Sequence, residues 1–73
     1  MEKTIKAIGK SFENKDGKAF IYDSDERIIA EFCGEIQEVC HYLFLIRDGR
    51  LYDIVKDENG SLKERLYKGY SLV

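Results

Sequence analysis

Short stretches in which apolar and polar residues alternate run the length of this chain, broken by glycine-centred turn signals. Phe20 and Tyr22 alternate with Ala19 and Ile21, and Ile28, Ala30 and Phe32 alternate with Ile29, Glu31 and Cys33. A period of two marks a half-buried β-strand, because successive side chains point to opposite faces. Asp16-Gly17, Asp48-Gly49 and Asn59-Gly60 separate these stretches. Such dipeptides supply the positive φ angles of tight hairpins, since Gly has no Cβ to clash and Asn or Asp tolerate the left-handed region. The pattern predicts an all-β fold, a small antiparallel meander of five or six strands forming a small barrel or a strongly twisted sheet.

Residues 4–12 read as one strand with a bulge near Gly9. Two further strands follow at residues 18–23 and 27–33. Phe20 and Tyr22 are the inward pair expected of the first, and Ile28, Ala30 and Phe32 of the second, because Glu31 occupies the opposite face. Residues 34–44 carry two signals. Ile36, Val39, Cys40 and Leu43 recur at helical spacing, while residues 39–46 are dense in strand formers. The reading taken is a loop or single helical turn at residues 35–38, then a strand over 39–47. The alternative is an α+β fold with one short helix near residues 35–42.

The back half is more regular. Arg47-Asp48-Gly49-Arg50 predicts a two-residue hairpin that sets Ile46 opposite Leu51, Leu45 opposite Tyr52 and Leu43 opposite Ile54. Leu62, Leu66, Tyr70 and Leu72 mark the last strand, and Gly69 a bend or bulge in it. The predicted core is Ile8, Phe20, Tyr22, Ile28, Ala30, Phe32, Leu43, Leu45, Ile54, Leu62 and Leu66. Shifted by 32 residues, Phe12, Asp16, Gly17, Lys18, Phe20, Asp25 and Glu26 align with Phe44, Asp48, Gly49, Arg50, Tyr52, Asp57 and Glu58. Duplication and the shared grammar of hairpins both account for this echo.

A length of 73 residues predicts a single small β domain over residues 1–73. An apolar content of 44% is ordinary for a globular chain. The net charge is −2, with six Lys/Arg against nine Asp/Glu in residues 1–40 and six against five thereafter. That is not the clearly basic face of a nucleic-acid binder. The start lacks the apolar stretch of a signal peptide and no run reaches the length of a membrane span, so a cytoplasmic protein that does not engage membranes is expected.

Candidate chemistry is sparse. Cys33, Cys40 and His41 are the soft ligands, and their spacing differs from the paired spacing of zinc sites. Cys40 and His41, adjacent on a strand, would point to opposite faces and could not act as nucleophile and base. The two cysteines read as buried small apolar residues. Asp23, Asp25 and Glu26 open like a calcium loop but lack its glycine and distal glutamate, so a solvated turn is expected. No phosphate-binding glycine loop is present. Neither cofactor, metal site, catalytic residue nor small-molecule substrate is therefore inferred, and the chain does not read as an enzyme.

Basic and aromatic residues interleave toward the end, and Arg47, Arg50, Arg65, Tyr67, Lys68 and Tyr70 form the candidate interaction surface. The leading expectation is a non-catalytic protein-interaction module acting through an exposed sheet edge or face. It would be a homodimer or a small phage-type or accessory inhibitor, size and composition suggesting the latter. The alternative is a nucleic-acid-binding small β-barrel, with rings stacking on bases and cations on phosphates.

Overall fold

The computed structural model describes residues 3–71, with side chains described for residues 4–67. Among them the chain is all β. The strands are β1 (Lys3–Thr4), β2 (Ser11–Lys15), β3 (Lys18–Tyr22), β4 (Ile28–Cys33), β5 (Glu35–Val39), β6 (Tyr42–Arg47), β7 (Arg50–Lys56) and β8 (Leu62–Ser71). Strands β2, β3 and β4 form a three-stranded antiparallel sheet, and the remaining five form a larger one. Seven strands have five residues or more, against the five or six expected. They divide between two sheets and do not close into a barrel.

Three two-residue turns set most of this order. Asp16-Gly17, with φ of 52° and 76°, joins β2 to β3, and Asp48-Gly49, with 52° and 72°, joins β6 to β7. Positive φ at both central residues is the type I′ geometry whose twist matches flanking strands. The predicted register of the second hairpin holds, with Arg47 opposite Arg50, Ile46 opposite Leu51 and Leu45 opposite Tyr52. The third turn is Cys40-His41, at 51° and 71°, with Val39 opposite Tyr42. It corrects three expectations for this segment: residues 35–38 belong to β5 and are not a loop or helical turn, the strand read over 39–47 is broken at Cys40-His41 and resumes as β6 at Tyr42, and the alternative helix near 35–42 is absent. Ile36, Val39 and Leu43 have helical spacing in the sequence, but the reversal at Cys40 puts them on two different strands.

The hairpin of β6 and β7 opens beyond Phe44 and Asp53, so Leu43 and Ile54 do not pair as expected. The N-terminal segment fills the split. Lys3 and Thr4 pair with Lys56 and Val55, the Ile5 amide donates to the Ile54 carbonyl at 2.9 Å, and Lys6 bridges to Tyr42. Residues 4–12 are therefore not one strand. The chain reverses at Gly9 (φ 73°), where the Lys10 amide donates to the Ala7 carbonyl, and Ile8 is 74% exposed at that reversal.

The core lies between the two sheets. Ala19 and Ile21 from β3 meet Ile36, Leu43, Leu45 and Ile54 from the larger sheet, with Ile5 at one end. Fully burying each large aliphatic contributes about 1.5–3 kcal/mol. The inward face of β3 is thus Ala19 and Ile21, opposite to the expected Phe20 and Tyr22. Ala19 sits across from Phe32 and Ile21 from Ala30, so small residues alternate with larger ones in the gap. Ile28 and Leu66, expected in the core, are more than half exposed.

A corner at Gly34 carries the chain from the smaller sheet to the larger. Its φ is 123°, and a Cβ there would stand 2.5 Å from the Ile46 carbonyl oxygen. The Gly34 amide donates to the Gly17 carbonyl at 2.8 Å. Beside it, the Asn14 side chain treats β5 as a strand partner would: its Nδ2 donates to the Ile36 carbonyl and its Oδ1 accepts from the Ile36 amide. One amide side chain thereby satisfies the open edge of β5 at that residue and ties the sheets together.

Candidate functional site

The face of the larger sheet that points away from the core is the richest part of the surface. On β6 the alternation that buries Leu43 and Leu45 turns Tyr42, Phe44 and Ile46 outward. On β7 it turns Leu51, Asp53 and Val55 outward, and on β8 it places Arg65 opposite Asp53. Asp53, only 3% exposed, is the one buried charged residue among those described. Arg65 donates to it from Nε at 3.2 Å and from Nη2 at 2.8 Å, and the Thr4 hydroxyl donates at 3.0 Å. The insertion of β1 into the split hairpin is what brings Thr4 there.

Aromatic rings surround this carboxylate. Phe44 and Tyr67 meet edge to face, with centroids 5.8 Å apart and planes at 76°. A cleft of about 410 Å³ opens between Thr4, Tyr42, Phe44, Asp53 and Tyr67. Around it Tyr67 is 43% and Val39 49% exposed. The outer face of the smaller sheet differs: Phe20 and Tyr22 lie among Glu13, Lys18 and Glu31, with Lys18 and Glu31 paired at 3.2 Å. Tyr22 donates to Glu13 at 3.4 Å, and desolvation first, then the charge and hydrogen bond of Glu13, hold its phenol above its ordinary pKa.

The six candidate residues read from the sequence do not share one patch. Arg65 and Tyr67 belong to the cleft region. Arg47 lies at the far end of the sheet, on the core-facing side: Nη1 donates to Glu64 at 2.8 Å, Nη2 donates to the other Glu64 oxygen, and the guanidinium covers the Tyr52 ring at 4.7 Å. The hydrogen bonds to Glu64 first, then to Tyr52, hold its pKa above the ordinary arginine value. Arg50, directly opposite Arg47, is exposed. Lys68 and Tyr70 lie outside the residues whose side chains are described.

Sequence reasoning missed Thr4, Tyr42, Phe44 and Asp53. The signal for Asp53 was a lone carboxylate interrupting the apolar run from Leu51 to Val55, opposite Phe44 in the predicted register. Thr4 gave no signal, because its place depends on a contact 49 residues away. Cys33 and Cys40 are free and exposed, not buried as expected, and stand at opposite ends of β5.

Fold and site together define a small two-sheet β domain with an aromatic-rimmed ion pair on one outer face. Comparison with family models, with curated proteins and with solved structures finds no match to the chain. Among the described residues, no helix is long and apolar enough to cross a membrane.

Proposed function

We propose that this protein is a non-catalytic protein-interaction module whose binding surface is the outer face of the larger sheet. The observation that carries this is the concentration of exposed or half-exposed Val39, Tyr42, Phe44 and Tyr67 around the Asp53–Arg65 pair. Tyrosine and arginine are the residues most enriched where binding energy concentrates, and a desolvated polar group ringed by apolar contacts is the usual setting. The carboxylate oxygens already accept three hydrogen bonds, so Asp53 holds a structure in place and is not set up to take a proton from a substrate.

Photo-crosslinking tests the reading. A benzophenone amino acid at Val39 is expected to capture a discrete protein in the native host, and the same probe at Phe20, on the other sheet, is not. A product at twice the chain mass assigns the partner to a second copy. Equal products from both positions, or none from Val39, overturn the proposal.

The alternative of a nucleic-acid-binding module draws on Arg47, Arg50, Arg65, Tyr67 and Lys68. Arg47 and Arg65 hold carboxylate partners, which lowers the charge they offer to phosphate. Affinity for oligonucleotides that falls steeply with salt is the result that would favour it.

A further inference from the structure

The cleft beside Asp53 has the chemistry of a cation site. Ring faces carry negative potential and attract positive charge that is cheap to strip of water. Here Phe44 and Tyr67 stand nearly perpendicular, Tyr42 lines the same cleft, and the Asp53 carboxylate lies buried within it. The kind of cation follows from the hydrogen bonds. A carboxylate offers about four lone-pair sites, and three on Asp53 accept from Arg65 and Thr4. A primary ammonium has three donors to satisfy and is strongly hydrated. Beyond the one site left on Asp53 it would have to turn to the Thr4, Tyr42 and Tyr67 hydroxyls, and it gives up tight hydration to enter. A fully alkylated ammonium has no N–H to satisfy, sheds water easily and gains from ring faces. The volume of about 410 Å³ falls in the range of small-ligand sites, about 300–1,000 Å³.

We infer that this cleft receives an N-methylated lysine side chain presented by the protein partner. The nature of the partner rests on the interaction reading above; the cation selectivity rests on the cleft alone. Because Arg65 neutralises much of the Asp53 charge, the rings supply most of the discrimination, and the affinity of the isolated side chain is weak.

The test is a set of NMR titrations with Nα-acetyl-trimethyllysine amide, its neutral tert-butyl isostere and the unmethylated lysine derivative. The trimethylated probe is expected to shift the Tyr42, Phe44 and Tyr67 ring signals saturably. The isostere, equal in shape but uncharged, and the unmethylated lysine are each expected to bind about tenfold more weakly. Tyr67→Phe should retain the preference, and Tyr67→Leu should lose it with the fold intact by amide fingerprint. Equal binding of the charged and neutral probes, preference for unmethylated lysine, or absence of saturable shifts at the three rings overturns the inference. So does stronger binding to phosphatidylcholine vesicles than to a trimethyllysine peptide. A Val39 crosslink formed without any such titration response would leave the interaction reading standing and remove this one.

Discussion

The two three-stranded meanders, β2–β3–β4 and β6–β7–β8, share their turns and differ in what they bury. Each opens with an Asp-Gly turn of the same backbone geometry. Each then turns again on an aspartate: Asp23 accepts from the Asp25 and Arg27 amides as Asp57 does from the Asn59 and Ser61 amides. The residue in the left-handed region is Glu26 in the first and Gly60 in the second. Matching the turns pairs Asp23 with Asp57. The sequence echo at a constant shift paired Asp25 with Asp57 instead, because β7 has seven residues where β3 has five. Yet β3 buries Ala19 and Ile21 on one face only, while β7 buries Asp53, Ile54 and Val55 in succession. Turn chemistry is local and repeats; burial on a second face needs neighbours from elsewhere in the chain, and only the second meander has β1 beside it.

The junction of the two units should be the most sensitive point. Gly34→Ala is expected to cost about 3 kcal/mol or more by urea denaturation, since it adds both an unfavourable φ and a backbone clash. The same substitution at Gly17, where a Cβ meets nothing, carries only the conformational penalty of about 1–2 kcal/mol. A result in which the two are equal would mean that the corner is not tightly packed.

Asn14→Ala comes next. It strips two hydrogen bonds from Ile36 and opens the β5 edge, and a loss of about 1–2 kcal/mol is expected. Concentration-dependent association, read by light scattering, should accompany it. Unchanged stability would show that water replaces the amide at no cost.

Exchanging the left-handed residues of the two aspartate turns tests directly whether those turns are equivalent. Glu26→Gly should stabilise by about 0.5–1 kcal/mol and Gly60→Glu should destabilise by a similar amount, the strain in the left-handed region outweighing the flexibility of glycine in the unfolded chain. The contact a Cβ at Gly60 would make, 3.7 Å to Lys56, is an ordinary one, so backbone conformation alone is tested. Melting temperatures that move in the same direction for both would break the equivalence of the turns.

The smallest effect is electrostatic and confined to the first meander. Tyr22 has its pKa raised in the folded protein, so the fold holds the phenolic proton more tightly than the unfolded chain does. Its contribution to stability is complete below the ordinary value of 10.0 and is lost as pH rises through the raised value. In an ultraviolet titration at alkaline pH, Glu13→Gln should lower the ionisation of Tyr22 toward the ordinary value. An unchanged titration would remove Glu13 as a cause.

Much of the architecture was legible because it is written in neighbouring residues. The all-β character, the hairpin at Asp48-Gly49 with its register, and an irregular last strand at Gly69, where pairing jumps between Leu66 and Ser71, all follow from local backbone preference. Cys40-His41 escaped notice because neither residue is a common turn former, although histidine tolerates positive φ better than most. Of the candidate surface, Arg65 and Tyr67 were legible from alternation on one strand, whereas the hydrogen bonding of Arg47 to Glu64 was not.

The order of residues alone is enough to place the reversals at Asp16-Gly17 and Asp48-Gly49 and to make the segments beside them strands, because steric limits on φ and a period-two alternation act within a few residues. Which face of each strand lies inside was settled by packing in three dimensions, as β3 shows, since inner and outer faces of that strand are both apolar and the choice rests on which side chains fit between the sheets. That packing also decided that Asp53 would be buried and held by Thr4 and Arg65 among aromatic rings. That outcome depends on distant residues meeting, and a contact across 49 positions leaves no periodicity to read.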